Sequence, residues 1–143
     1  MAAPTGRLPL NMFTLQQMKA AHAKVKSGAD FPAYVQAIKQ LGLVHYDFQV
    51  RDGQTEYHGA GGFQINSDPI YPEKTISTNP SAQTLQQIIT EHQQGKTDFL
   101  TVCQQVAEAG VAKWTVDTQA MVCTYYDRAG NRILAEPIPE QAY

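Results

Sequence analysis

His22 and His92 are the residues whose type and spacing most suggest chemistry. Each stands eight residues after a threonine that opens the same phrase, TLQQMKAAH from Thr14 and TLQQIITEH from Thr84. Each also falls on or beside the apolar stripe of a predicted helix, seven positions after Leu15 or Leu85. Two imidazoles at equivalent points could hold a metal or act as an acid–base couple, since histidine titrates near neutrality. A metal usually wants a third ligand, and neither HxxxH nor HExxH spacing supplies one. The competing interpretation is a pair of core histidines whose ring nitrogens bond backbone carbonyls.

The other reactive types give less. His45 and His58 face Lys113 and Tyr126 at the corresponding points of the second half, and read as strand residues on a half-exposed face. Cys103 and Cys123 have no CxxC or Cys/His spacing and read as reduced, buried thiols. GAGGF at Gly59–Phe63 lacks the Lys-Ser/Thr and the following helix of a phosphate loop, so it is a turn. Tyr46, Tyr57, Trp114 and Tyr125 lie in strand-like stretches, where such rings fill a core or line a groove. With His22 and His92 they are the ligand-binding candidates. No catalytic residue, metal ligand or cofactor is assigned.

What positions these residues is a repeat. A constant shift of 68 carries Phe31, Gln36, Ile38, Gly42, Tyr46 and Tyr57 onto Phe99, Gln104, Val106, Gly110, Trp114 and Tyr125. The same shift carries Gly62, Ile65, Pro69 and Ile70 onto Gly130, Ile133, Pro137 and Ile138. The shift is 70 for the first helix, so two residues drop out between His92 and Phe99. The pattern is that of a tandem duplication.

Each copy opens on a predicted helix with Thr14 or Thr84 as N-cap and Gln17 or Gln87 completing a capping box. Phe13 and Met18 add a hydrophobic staple in the first copy, and Gly28 and Gly95 end these helices. A second helix follows Asp30 or Asp98 and stops at Gly42 or Gly110. Three strand-like stretches come next: HYDFQV, TEYHG and GFQI, then KWTVD, VCTYY and RILAE. Asp52-Gly53 marks a hairpin. The fold class is therefore α+β, a duplicated ααβββ unit with antiparallel strands covered by four helices about a pseudo-twofold axis. Two three-stranded sheets are the expected form. Residues 1–13 form an N-terminal extension, and 14–143 a single domain of two repeats, 14–73 and 84–140, joined by a proline-rich connector. A unit of this size buries too little surface to be stable alone, so the halves are expected to share one core.

Composition sets the class of partner. The 143 residues are 43% hydrophobic and 17% charged, which suits a globular core, with a net charge of −2. That balance does not suggest a phosphate-binding surface, and Lys19, Lys24 and Lys26 read as the wet face of a helix, so no nucleic-acid partner is expected; no apolar run is long enough for a membrane span. The start MAAPTGRLPLNMF lacks the apolar segment of a signal peptide, so a soluble, cytoplasmic protein is expected.

MFTLQQMKAAHAKVKSGADFPAYVQAIKQLG, with HYDFQVRDGQTEYHG and HQQGKTDFLTVCQQVAEAGVAKWTVDTQAMVCTYYDRAGN, resembles the YbcV-like family of uncharacterised bacterial proteins. Some members of that family are labelled phage envelope protein. The resemblance runs from about Met12 onward. It implies no activity and transfers no site residue, and nothing in the chain reads as a membrane or virion component. Function is expected to be non-catalytic binding of a small ligand or protein partner at the seam between the repeats. The alternatives are an acid–base or metal-assisted enzyme centred on His22 and His92, and an assembly protein that forms a homodimer through its sheet edges.

Overall fold

Helix starts are the first places where local chemistry decides structure. In the computed structural model, which describes residues 13–26 and 30–138, α1 runs Leu15–His22 behind an N-cap at Thr14. The Thr14 hydroxyl accepts the Gln17 N–H at 3.1 Å, and the Gln17 side chain accepts the Thr14 N–H at 2.8 Å. That is the expected capping box. The second copy departs from it. Helix α3 spans Ala82–Gln93, its N-cap is Ser81, and Thr84 donates its N–H to the Ser81 hydroxyl. Thr84 is thus inside the helix, because a second good cap three residues upstream captures the chain first.

Helices α2 (Phe31–Gln40) and α4 (Phe99–Glu108) have bounds offset by 68 residues. Asp98 caps α4 by accepting the Thr101 N–H, whereas the Asp30 carboxylate accepts the Lys26 N–H instead of a helix donor. Gly42 and Gly110 take positive φ just past these helices, as expected of C-terminal glycines. Gly28 lies outside the described residues, as do residues 1–12 of the expected extension. Phe13, the remaining residue of that extension, is buried edge-on against Phe63.

The strands are β1 (Leu43–Gln49), β2 (Thr55–Gly59), β3 (Gln64–Asn66), β4 (Lys113–Asp117), β5 (Val122–Tyr126) and β6 (Arg132–Pro137). The element order ααβββ therefore occurs twice. All six strands form one antiparallel sheet in the order β3-β2-β1-β4-β5-β6, which replaces the two three-stranded sheets expected. The reason is the β1–β4 ladder. Pairing those two strands satisfies the edge of each half with the edge of the other, leaving the outer edges of β3 and β6 as the sheet's edges among the described residues. In its register Asp47 lies directly opposite Thr115, the residue that the shift of 68 equates with it.

All four helices lie against one face of this sheet. Tyr46, Phe48, Tyr57, Trp114, Val116 and Cys123 point into that layer and are buried. The Tyr34 ring meets Tyr46 from α2, and Phe99 meets both Phe48 and Trp114 from α4. Helix α3 reaches the far side, where the Gln86 amide donates to the Glu136 carboxylate. The connector 67–81 straps the same layer: the Tyr71 hydroxyl donates to the Val50 carbonyl at 2.6 Å, and Ser77 N–H to the Ala107 carbonyl at 2.9 Å. Alternation along each strand sends the other set of side chains, His45, Asp47, Glu56, His58, Thr115 and Thr124, to the opposite face, which carries no helix among the described residues.

Candidate functional site

The helix-free face carries the densest group of titratable side chains. It follows from a mirrored sequence, HYD at 45–47 and EYH at 56–58, folded about the turn at Asp52-Gly53. The Asp52 carboxylate accepts the Gln54 N–H, and Gln49 N–H donates to the Gln54 carbonyl, which sets the hairpin register. That register places His45 opposite His58 and Asp47 opposite Glu56. Residues two apart on a strand share a face, so all four side chains form one square while Tyr46 and Tyr57 turn inward.

The two imidazoles stack, with ring centroids 4.2 Å apart and planes within 11°. The Asp47 Oδ2 atom lies 3.9 Å from His45 Nε2 and 3.7 Å from His58 Nε2. Glu56 Oε1 lies 3.9 Å from His58 Nε2. Each carboxylate has an outer partner, close at Asp47 and distant at Glu56. The Thr115 hydroxyl on β4 donates to Asp47 Oδ1 at 2.5 Å, and the Gln49 amide donates to Glu56 Oε2 at 3.4 Å. One oxygen of each acid is thereby turned away and the other faces the histidines. His58 Nε2 is buried and has no hydrogen-bond partner. Among the described residues, His45, Asp47 and His58 are the one group of three metal-ligating side chains whose donor atoms all lie within 4.8 Å of one another.

The expected pair is placed differently. His22 sits between the rings of Tyr34 and Phe99, edge-on to each at 5.5 Å. Burial holds its imidazole below the ordinary range. His92 Nδ1 lies 3.0 Å from the Thr97 carbonyl, the backbone bond foreseen for a structural histidine. Neither belongs to a three-ligand group among the described residues. A folded-state pKa below the unfolded value means that the unfolded chain binds the proton first. The His22 contribution is therefore complete above pH 6.5 and is lost as pH falls toward the folded pKa. The denaturation midpoint of wild type is expected to decline over that interval, with a smaller slope in His22→Phe; equal slopes would place the titration elsewhere.

The aromatic candidates fill the core. Tyr46, Tyr57 and Trp114 are 6%, 7% and 8% exposed, and Trp114 stacks on Phe48 with centroids 4.4 Å apart. Burial also pushes the Tyr125 phenol well above its usual range. None of the four rings lines either of two surface hollows, one bounded by Ser77, Pro80 and Asp127, the other by Gln87, Glu91 and Gln105. Both cysteines are free and buried, and burial raises their thiols to about 11 at Cys103 and about 12 at Cys123. Neither is a thiolate near neutral pH.

The signal for the histidine–carboxylate square was present in the sequence as its mirrored tripeptides. The grouping exists only once the hairpin register is imposed.

Helices on one face of an antiparallel sheet, and a polar cluster at the centre of the other, define a two-layer α+β protein. Residues 19–137 match the family described as protein of unknown function (DUF1398), and the chain belongs to that family. It is an uncharacterised family, in keeping with the resemblance drawn from the sequence. No curated protein matches the chain. None of the described helices is long and apolar enough to cross a membrane.

Proposed function

We propose that the protein is a cytoplasmic, non-catalytic module that binds a small ligand on the helix-free face of its sheet, over the seam where β1 meets β4. One observation carries this reading: the centre of that face holds two histidines and two acids, half-buried and steered by neighbours rather than splayed into water. An uncovered sheet face whose only task is solubility needs no such arrangement, since polar side chains of any type suffice there. The buried thiols with raised pKa values and the apolar setting of His22 weigh against nucleophilic and acid–base catalysis at those residues. The repeated ααβββ order, and the Asp47–Thr115 pairing at the middle of the sheet, support descent from a duplicated unit with its twofold relation at the seam. The stretches that resemble YbcV-like members lie within this unit, and closer kinship to them is part of the same proposal.

Thermal denaturation against a panel of metabolites and divalent cations tests the idea. A ligand at 100 times its Kd stabilises by about 2.7 kcal/mol, which raises Tm by roughly 8 °C in a chain of this size. At least one member of the panel is expected to do so in wild type and not in Thr124→Arg, which sets a long cationic side chain on the same face. A panel without shifts, or shifts indifferent to that substitution, would reject the sheet face as the binding surface.

A further inference from the structure

We infer that His45, Asp47 and His58 bind a divalent first-row transition metal ion. The site lies within the helix-free face and so rests on the preceding proposal, which it narrows to a ligand of stated chemistry.

Donor type comes first. Two imidazole nitrogens and a carboxylate oxygen suit zinc and its neighbours in the first row, whereas calcium and magnesium prefer oxygen donors alone. With both imidazoles neutral, the Asp47 carboxylate and the neighbouring Glu56 carboxylate balance the charge of a dipositive ion.

Spacing comes second. Ligands about 2.0–2.1 Å from a tetrahedral zinc ion lie about 3.4 Å from one another. The Asp47 Oδ2 to Nε2 separations are 3.9 Å at His45 and 3.7 Å at His58, and Glu56 Oε1 is 3.9 Å from His58 Nε2. The two Asp47 separations exceed the tetrahedral value by about 0.3–0.5 Å, and the donor atoms of His45, Asp47 and His58 all lie within 4.8 Å of one another.

Support from the surroundings comes third. Metal ligands perform best when an outer partner fixes their orientation, and Thr115 does this for Asp47. The Thr115 bond crosses from β4 to β1, so the second half of the chain holds a ligand contributed by the first. A buried histidine nitrogen without a hydrogen-bond partner costs free energy, and His58 Nε2 is such an atom. Coordination would give it a partner.

The stacked rings also dictate how the ion enters. Parallel imidazoles direct their in-plane lone pairs side by side, so they do not converge on one point at a ring separation of 4.2 Å. One ring must rotate about χ2, a torsion with a broad, shallow profile for histidine. Binding therefore breaks the stack. Only side chains move, because the hairpin backbone already holds all four residues on one face.

The test uses full-length protein stripped with a chelator and titrated with Zn2+ by calorimetry. Co2+ follows as a spectroscopic probe, and imidazole resonances are recorded by NMR. One equivalent of Zn2+ is expected, with coordination at Nε2 of His45 and His58 and a change in ring-current shifts as the rings separate. His58→Gln and Asp47→Asn should each weaken binding at least 100-fold, and Thr115→Val about 10-fold. Asp127→Asn, in a turn of the second half, should leave it unchanged. If His58→Gln fails to fold, Thr115→Val decides the matter on its own. No binding by wild type, or full affinity in the folded His58→Gln or Thr115→Val variant, would overturn the assignment. Shifts caused only by organic compounds and abolished by Thr124→Arg would overturn the metal while sustaining the binding face; metal bound with equal affinity by every variant would overturn both.

Discussion

Gly110→Ala is expected to cost about 2–5 kcal/mol of folding stability. Two effects add. Gly110 has φ +91°, in the left-handed region, where an L-residue costs about 1–2 kcal/mol. A Cβ there would also stand 2.5 Å from Pro80 Cα and 2.9 Å from Pro80 N, which are main-chain atoms with no rotamer to yield. Forcing them apart adds about 1–3 kcal/mol of overpacking. The connector cannot swing clear, because Ser77 and Ser81 donate their N–H groups to the Ala107 and Ala109 carbonyls on either side of the contact. Gly130→Ala separates the two effects. Its φ is +86°, but a Cβ would meet nothing within 4 Å, so only the backbone cost of about 1–2 kcal/mol applies. Urea denaturation of both variants gives the comparison. Equal losses would mean that the connector does not press on the end of α4.

Phe48→Ala is expected to cost about 3–5 kcal/mol, the usual range for removing a buried aromatic ring. Phe48 is 4% exposed and lies on β1, in the first half of the chain. Its principal ring contacts come from the second half: Trp114, stacked at 4.4 Å, and Phe99, edge-on at 5.4 Å. The substitution therefore opens a cavity in a core that both halves build. Unfolding should remain a single transition, with fluorescence of Trp114 and far-ultraviolet circular dichroism coinciding. Separate transitions for the two probes would show that the halves stand independently. A double-mutant cycle with Trp114→Leu should return a coupling of about 0.5–1.5 kcal/mol.

Local features were legible in the sequence. KWTVD and VCTYY are β4 and β5 residue for residue, and Thr14, Asp98, Gly42 and Gly110 bound helices where cap chemistry placed them. Such signals act over three or four residues and need no tertiary information. The single sheet was not legible, because the β1–β4 pairing is set by burial of both inner faces and no turn encodes it. Ser81 and Thr84 offer the same cap chemistry three residues apart, so the sequence alone does not choose between them. The site lies between these cases. Every member of the histidine–carboxylate square sits beside a recognisable hairpin turn, so its grouping was available from strand alternation. The Thr115 contribution was not, since it depends on the non-local ladder.

The central ladder also governs how quickly the chain reaches this structure. Asp47 meets Glu56 after nine residues of chain and Thr115 only after 68. Loop-closure entropy makes the second encounter about 2 kcal/mol more costly than the first. Each three-stranded meander can zip from its own turns, but the line between them closes late, after the intervening helices and strap have been gathered in. The docking of two meanders is thus the expected slow step in folding, and its rate should respond to changes at β1 and β4 more than to changes at either outer strand.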